Sequence, residues 1–293
     1  MTERHPSYGL ALAAAGALII TPDTLFMRLT EMSGMAMLAW RGLSVGIIFL
    51  LIWLGSRRHL LRQDMRALCR PSGLAVVVMH ALNASMFSLG VANAPVSVVL
   101  FAVASMPIFA ALFAHLFAGE RTGQSTWIAT AAVMIGIGIA VFGRDASGVG
   151  FNLASLIGAL AGLGVAAALA ATFVVIRHVP SLPILPVMGI GTLISGGGAA
   201  LLAGPAAMVS GQVWAALVSG VVILPLSFLA LTQSARHTAA VNVSLLMLLE
   251  TILGPIWVWY GFGEAMSQAQ IAGGAIVVTS LALYLWHGGR QAA

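Results

Sequence analysis

The sequence predicts an all-α integral membrane protein of ten transmembrane helices, built as two five-helix halves of opposite orientation. Three observations carry that prediction. Charged residues are scarce, apolar runs of spanning length recur along the chain, and a block built on G-E-x-x-x-Q returns 144 residues after its first appearance.

Only 7% of the 293 residues are charged, against 60% hydrophobic, and the mean hydropathy is +1.03. Water-soluble domains carry about 25% charged residues, so this chain has too few to cover a water-facing surface. The net charge of +5 is not a nucleic-acid footprint. All thirteen basic residues are arginines, clustered in short loops between apolar runs, and that placement sets orientation in a bilayer. Membrane lipids are therefore expected partners, and nucleic acid is not. The single cysteine, Cys69, excludes an intramolecular disulfide and leaves no Cys cluster for a metal. No metal or cofactor is expected.

About 20 apolar residues cross a bilayer as a helix. Gly, Pro and Arg punctuation divides the chain into runs at about 8–28, 33–54, 72–91, 95–118, 124–143, 152–176, 184–203, 211–232, 239–261 and 267–287. The first run lacks a convincing small-x-small cleavage site and reads as a helix of the mature chain, not a removed signal. The second holds Trp40 and Arg41. The third follows Pro71 and contains "VMHALNASMFSLG". The fourth carries Met106-Pro107, where a missing N–H should kink or loosen the helix; plain packing and a gating hinge are both open. In the fifth and seventh, "MIGIGIA" (134–140) and "GGG" (196–198) suit close helix packing. The ninth holds Glu250 and ends in Trp257, Trp259 and Tyr260, an aromatic belt.

A cytoplasmic N-terminus puts ten arginines inside (Arg4, Arg57, Arg58, Arg62, Arg66, Arg70, Arg121, Arg177, Arg236, Arg290) and two outside (Arg28, Arg144). Both termini are then cytoplasmic. The basic run 56–70 reads as a topology signal.

"AGERTGQSTW" (118–127) and "FGEAMSQAQI" (262–271) align Gly119, Glu120 and Gln124 with Gly263, Glu264 and Gln268. "FMR" (26–28) and "VIR" (175–177) end the first run of each half. Five helices per half is odd, so the second half, 146–293, enters from the side opposite to 1–145. Inverted repeats of this kind are typical of secondary transporters, whose site lies near the midplane between the halves.

These features resemble the drug/metabolite transporter superfamily, particularly its ten-helix EamA-type exporters. The residues carrying the resemblance are Arg41 in "MLAWRGLSVGIIFLL", the stretch "ANAPVSVVLFAVASMPIFAALFAHLFAGERTGQ" (92–124), and Glu264 with Gln268. In size and organisation the chain is similar to bacterial amino-acid exporters, the aromatic amino-acid type included. The resemblance implies a central cavity and places the third, fourth and ninth runs around it. Such proteins often carry a Glu-Pro pair midway along the fourth and ninth helices. Here the pair is split, Met106-Pro107 against Glu250-Thr251, so the two cavity walls are chemically unequal.

Intramembrane ionisable residues are costly and usually functional. Asn242 and Glu250 share one broad face of the ninth run, and His80, Asn83 and Phe87 share one face of the third. With Met106 they are expected at similar depth, lining the cavity; a His80–Glu250 pair that only locks helices is the plainer reading. Arg41 needs a partner, and Asp23, after Pro22, is the nearest acid by depth. Recognition of a substrate carboxylate by Arg41 is the sharper reading. Trp40, Phe87, Phe101, Phe173 and Met247 are candidate apolar walls. Glu120 and Glu264 are expected first as acceptors for the free N–H groups opening the fifth and tenth helices, and second as transport groups.

The chain shows no G-x-x-x-x-G-K-[ST] and no lysine, so solute or ion gradients must supply the energy. H-E-x-x-H and clustered aspartates are absent as well, which argues against an enzyme. Few charges in the cavity suit uncharged or zwitterionic solutes. The expected function is export of amino acids or similar small metabolites by a non-ATP carrier, with drug or other-metabolite efflux as the alternative. One chain holds both halves, so a monomer is expected.

Overall fold

The structure, a computed structural model, describes residues 6–118, 124–142, 152–264 and 266–291. The described residues are helical, with no strand among them. Long helices run in chain order as α1 (Tyr8–Leu29), α2 (Gly34–Ser56), α3 (Pro71–Asn93), α4 (Val96–Phe117), α5 (Gln124–Phe142), α6 (Leu153–His178), α7 (Ile184–Met208), α8 (Val213–Ser234), α9 (Ala240–Phe262) and α10 (Gln268–Gln291). Among the described residues, eight of these helices, α1–α4 and α6–α9, are long and apolar enough to cross a membrane, so the chain is a multi-pass membrane protein. A short amphipathic helix, Leu61–Leu68, lies between α2 and α3.

Local chemistry sets several helix ends. Ser33 caps α2 by accepting from the Ala36 N–H at 3.3 Å, and Asn152 caps α6 by accepting from the Ala154 N–H at 2.9 Å. Pro71 opens α3, where its missing N–H costs nothing. Gly263 closes α9 at φ 66°, a left-handed conformation that favours glycine. Leucines such as Leu201 and Leu202 face outward and exposed, as the lipid-facing side of a spanning helix requires.

The glycines expected to promote close packing divide. A Cβ on Gly196 of α7 would meet the Leu43 backbone N of α2 at 2.6 Å, whereas Gly197 and Gly198 face open space. Likewise Gly136 of α5 lies against Gly273 of α10, its would-be Cβ 2.7 Å from the Gly273 carbonyl, while Gly138 meets nothing within 4 Å. Two backbone contacts therefore hold two helix pairs, α2 with α7 and α5 with α10. α3 packs on α6, α1 on α8, α4 on α6, α9 on α1, α3 on α7 and α2 on α8.

Five of the described helices are interrupted: α7 near its end, at Gly204 (φ 76°) before Pro205, and four others deeper in the bundle. α1 turns at Thr21–Pro22, α4 at Ala104–Ser105, and α9 at Met247. α8 carries a π-helical stretch over Val218–Ile223, ending just before Pro225. The break in α4 precedes Pro107, which cannot donate to the Val103 carbonyl; α9 breaks at the corresponding place with Thr251 instead of a proline. Such breaks in a spanning helix are tolerated where they face protein or a cavity.

The α2–α7 contact gives a stability prediction. Gly196→Ala should destabilise the fold by about 1–3 kcal/mol through overpacking, while the adjacent Gly197→Ala should be neutral or stabilise by up to about 1 kcal/mol. Thermal unfolding in detergent compares the two; equal shifts would refute the close approach.

Candidate functional site

The interruptions of α1, α4, α8 and α9 converge on a cavity of about 50 Å³ in the bundle. Asp23 opens the second segment of α1, immediately after Pro22, and is fully buried. Its Oδ2 accepts from Arg41 Nη2 at 2.6 Å. Its Oδ1 accepts from the Ser219 hydroxyl at 2.5 Å. Ser219 lies in the π stretch of α8, where widened backbone turns re-aim side chains. One carboxylate thus joins α1, α2 and α8.

Arg41 is 4% exposed. It spends one nitrogen on Asp23, and its Nε and Nη1 are buried without a hydrogen-bond partner. The guanidinium carbon sits 5.9 Å from the centre of the Phe87 ring, within reach of a cation–π attraction. Glu250 is also 4% exposed, in the first turn after the break in α9, and its Oε1 has no partner. His80 Nδ1 is buried and unpartnered as well; its ring stands edge-on to Phe228 at 5.2 Å between centres. Asn83 and Met247 complete the polar and apolar walls near these groups.

Buried polar groups are nearly always hydrogen-bonded, so unsatisfied ones call for an explanation. Here a cation with two spare donors, a carboxyl oxygen and an imidazole nitrogen line one small cavity. The arrangement can bind a group that accepts at one end and donates at the other. Among the described residues no set of three His, Cys, Asp or Glu stands ready for a metal.

The structure brings Asp23, Arg41, His80, Asn83, Phe87, Met247 and Glu250 to this cavity. Five other candidate lining residues, Phe101, Trp40, Asn242, Met106 and Phe173, do not line it. Phe101 turns away, its ring filling the space over Gly274 of α10. Trp40 points to the α7 end, donating from Nε1 to the Met208 carbonyl at 2.7 Å. Asn242 donates to Thr238 Oγ1 at 2.9 Å, in the connection just before α9. Met106 is buried in the apolar core. Helix spacing gives a face in outline; for Phe101 and Trp40 a neighbouring helix decides what that face touches, and for Asn242 the preceding connection does. Pro107 follows the break in α4. Phe173 is fully buried in the same core as Met106.

Glu264 does not cap α10. Ser267 and Gln270 do so reciprocally: the Gln270 N–H donates to Ser267 Oγ at 3.2 Å, and the Ser267 N–H donates to Gln270 Oε1 at 3.0 Å. This S-x-x-Q box is a local signal that was open to sequence reading. Glu264 instead accepts from Arg28 Nη2 at 3.2 Å, and the same nitrogen lies 3.1 Å from the Ala94 carbonyl. Its counterpart Glu120 lies outside the described residues, as does the expected boundary at 145/146. Sequence reasoning missed Ser219 and Phe228; neither stands out in an apolar run without knowledge of the π turn. Outside the spans, burial and then the nearby charge of Arg57 hold the Arg236 guanidinium below its ordinary range.

The Asp23–Arg41 pair makes a testable energetic claim. Removing one partner of a buried pair costs about 3–5 kcal/mol, whereas replacing both by apolar groups is often neutral. Asp23→Asn should therefore unfold at markedly lower temperature than Asp23→Leu/Arg41→Met. Thermal melts in detergent decide this, and the opposite order would show that the pair is not buried as described.

No curated protein matches this chain. Among solved structures 21 chains match. One, described as "Crystal structure of protein", is 17% identical with a TM-score of 0.66, over 98% of this chain and 99% of that one; this is a likeness of fold. Residues 7–142 match the EamA-like transporter family, so the first half of the chain, which supplies Asp23, Arg41, His80 and Asn83 to the cavity, carries that family's pattern.

Proposed function

We propose that the chain is a secondary transporter of the drug/metabolite transporter superfamily that exports amino acids or similar small metabolites. It works across the cytoplasmic membrane by alternating access. The observation that carries this reading is the cavity in which Arg41 and Glu250, both buried, present unpaired polar atoms of opposite charge type. A zwitterion matches such a pair: its carboxylate would take the free Arg41 donors and its ammonium the Glu250 oxygen. Sites for small molecules occupy about 300–1,000 Å³. A cavity of about 50 Å³ is too small for such a solute until helices part.

The architecture proposed is ten spanning helices in two inverted halves, 1–145 and 146–293, with both termini cytoplasmic. The helix pairings support it. Exchanging each helix for the one five places on turns α3·α6 into α8·α1, α4·α6 into α9·α1 and α3·α7 into α8·α2, and leaves α2·α7 and α5·α10 unchanged. A bundle with that exchange symmetry has a natural way to open alternately to either side. A second reading, efflux of apolar drugs or other metabolites, draws on the rest of the cavity wall, where Val103, Val165, Leu169 and Phe228 are apolar.

Counterflow in liposomes tests the proposal. Vesicles preloaded with unlabelled amino acids should accumulate labelled threonine, methionine or phenylalanine, saturably and only with solute inside. No counterflow with any class, in vesicles shown to hold folded protein, removes the amino-acid reading and puts efflux first. Arg41→Lys keeps a cation for Asp23 but lacks the spare guanidinium donors. It should raise the apparent KM for amino acids about tenfold or more, while their amides, without a carboxylate, are transported no worse than by the unmodified protein.

A further inference from the structure

We infer that the connection between α2 and α3 forms a binding site for the phosphate headgroup of an anionic phospholipid. The helix Leu61–Leu68 and the residues around it border a hollow of about 570 Å³, lined by His59, Arg62, Arg66, Arg70 and, from the α6–α7 connection, Ser181. Arg62 and Arg66 stand one turn apart on a single face, and Arg70 lies just past the helix end. All three are exposed. Among the described residues no carboxylate or carbonyl claims any of their guanidinium groups.

The acid of this segment has been taken out of reach. Asp64 is buried on the opposite face, where it accepts two hydrogen bonds from Arg57, at 2.9 and 3.0 Å, and one from Trp53 Nε1 at 2.8 Å. That knot neutralises Arg57 and pins the helix against the end of α2. The hollow is left with three cations, an imidazole, a hydroxyl and the Gln63 amide, and no anion. A tetrahedral phosphate, with several acceptor oxygens, matches convergent guanidinium donors.

The source of the phosphate follows from the rest of the lining and from position. Leu60 and Ala67 contribute apolar surface to the same hollow, which suits the glycerol and upper acyl region of a lipid better than a hydrated free ion. The helix joins two spanning helices, so it lies at the membrane edge, where basic segments meet anionic headgroups. Because Ser181 belongs to the α6–α7 connection, a headgroup seated here touches both halves of the chain and ties the two connections together.

Thermal unfolding of the purified full chain in mild detergent, titrated with defined lipids, tests this. Phosphatidylglycerol or cardiolipin should raise the unfolding temperature saturably, and phosphatidylcholine should not. Arg62→Gln/Arg66→Gln should need about tenfold more anionic lipid, or higher still, for the same shift, and Arg66→Gln alone should fall between. Arg58→Gln, exposed but outside the hollow, should titrate like the unmodified protein. Equal titration of the double variant and the unmodified protein overturns the site. So does a shift that inorganic phosphate reproduces in full with nothing added by phosphatidylglycerol, since the anion would then be a soluble one.

Discussion

The buried contact of Asp23 with Arg41 constrains the interior of this bundle more than any other. An unpaired charge at membrane depth costs several kcal/mol, so neither residue can be where it is without the other. The pair needs α1 to turn at Pro22, which sets Asp23 at the start of a new helical segment, where a negative charge is favoured. It also needs the π stretch in α8, which turns Ser219 onto the second carboxylate oxygen. Asp23 is satisfied by this arrangement and Arg41 is not. The guanidinium is held in place by one nitrogen and faces the cavity with two others. A cation anchored in this way is fixed for binding, because it need not move or exchange partners to meet an anion.

The interruptions in α1, α4, α8 and α9 belong together physically. A continuous spanning helix has every backbone group satisfied and offers only side chains to a ligand. Broken helices free backbone groups and permit short segments to change direction, and they persist only where protein or a cavity surrounds them. The breaks in α4 and α9 are also linked to each other: the Thr251 hydroxyl donates to the Leu100 carbonyl at 3.3 Å, from the segment after one break to the segment before the other. Movement of either segment is therefore felt across the interface. At the far end of α1, Arg28 with Glu264 makes a second link between residues distant in sequence, partly exposed and so weaker than the buried pair.

Much of the bundle was legible because membrane spans write themselves in long apolar runs. The run expected at 33–54 is Gly34–Ser56, and that at 95–118 is Val96–Phe117. Arg41 pointed to Asp23 for a simple reason: a buried arginine needs an acid, and few acids lie at its depth. Side chains that compete only as packing were not legible. Trp40, Phe101 and Asn242 occupy plausible helical faces, but a face is wide, and its neighbours are fixed by how helices cross. Glu264 was misread for a related reason. Its position before α10 suited a cap, while its true partner, Arg28, is 236 residues away in sequence. Ser219 carried no local signal, since the π turn that aims it arises from the surrounding backbone.

Several helix pairings recur under a five-place exchange, among them α3·α6 with α8·α1, while α2·α3 has no comparable α7·α8 counterpart, and the chemistry is unequal as well. α4 presents Met106 and Pro107 where α9 presents Glu250 and Thr251, and α2 carries Arg41 where its counterpart α7 carries none. α9 breaks without the proline that accompanies the break in α4, so the interruption belongs to the shared backbone geometry and the proline reinforces it in one half only. Under the proposed architecture of two inverted halves, the bundle would open toward either side with similar motions. Its unequal walls give the cavity a direction: cation from α2, carboxyl from α9, imidazole from α3. Under the proposed reading, a solute with opposite charges at its two ends would then sit in one orientation throughout the cycle. It would present the same end to Arg41 whichever side was open, and selectivity would survive a change of access because the polar groups are anchored at the breaks about which the segments turn.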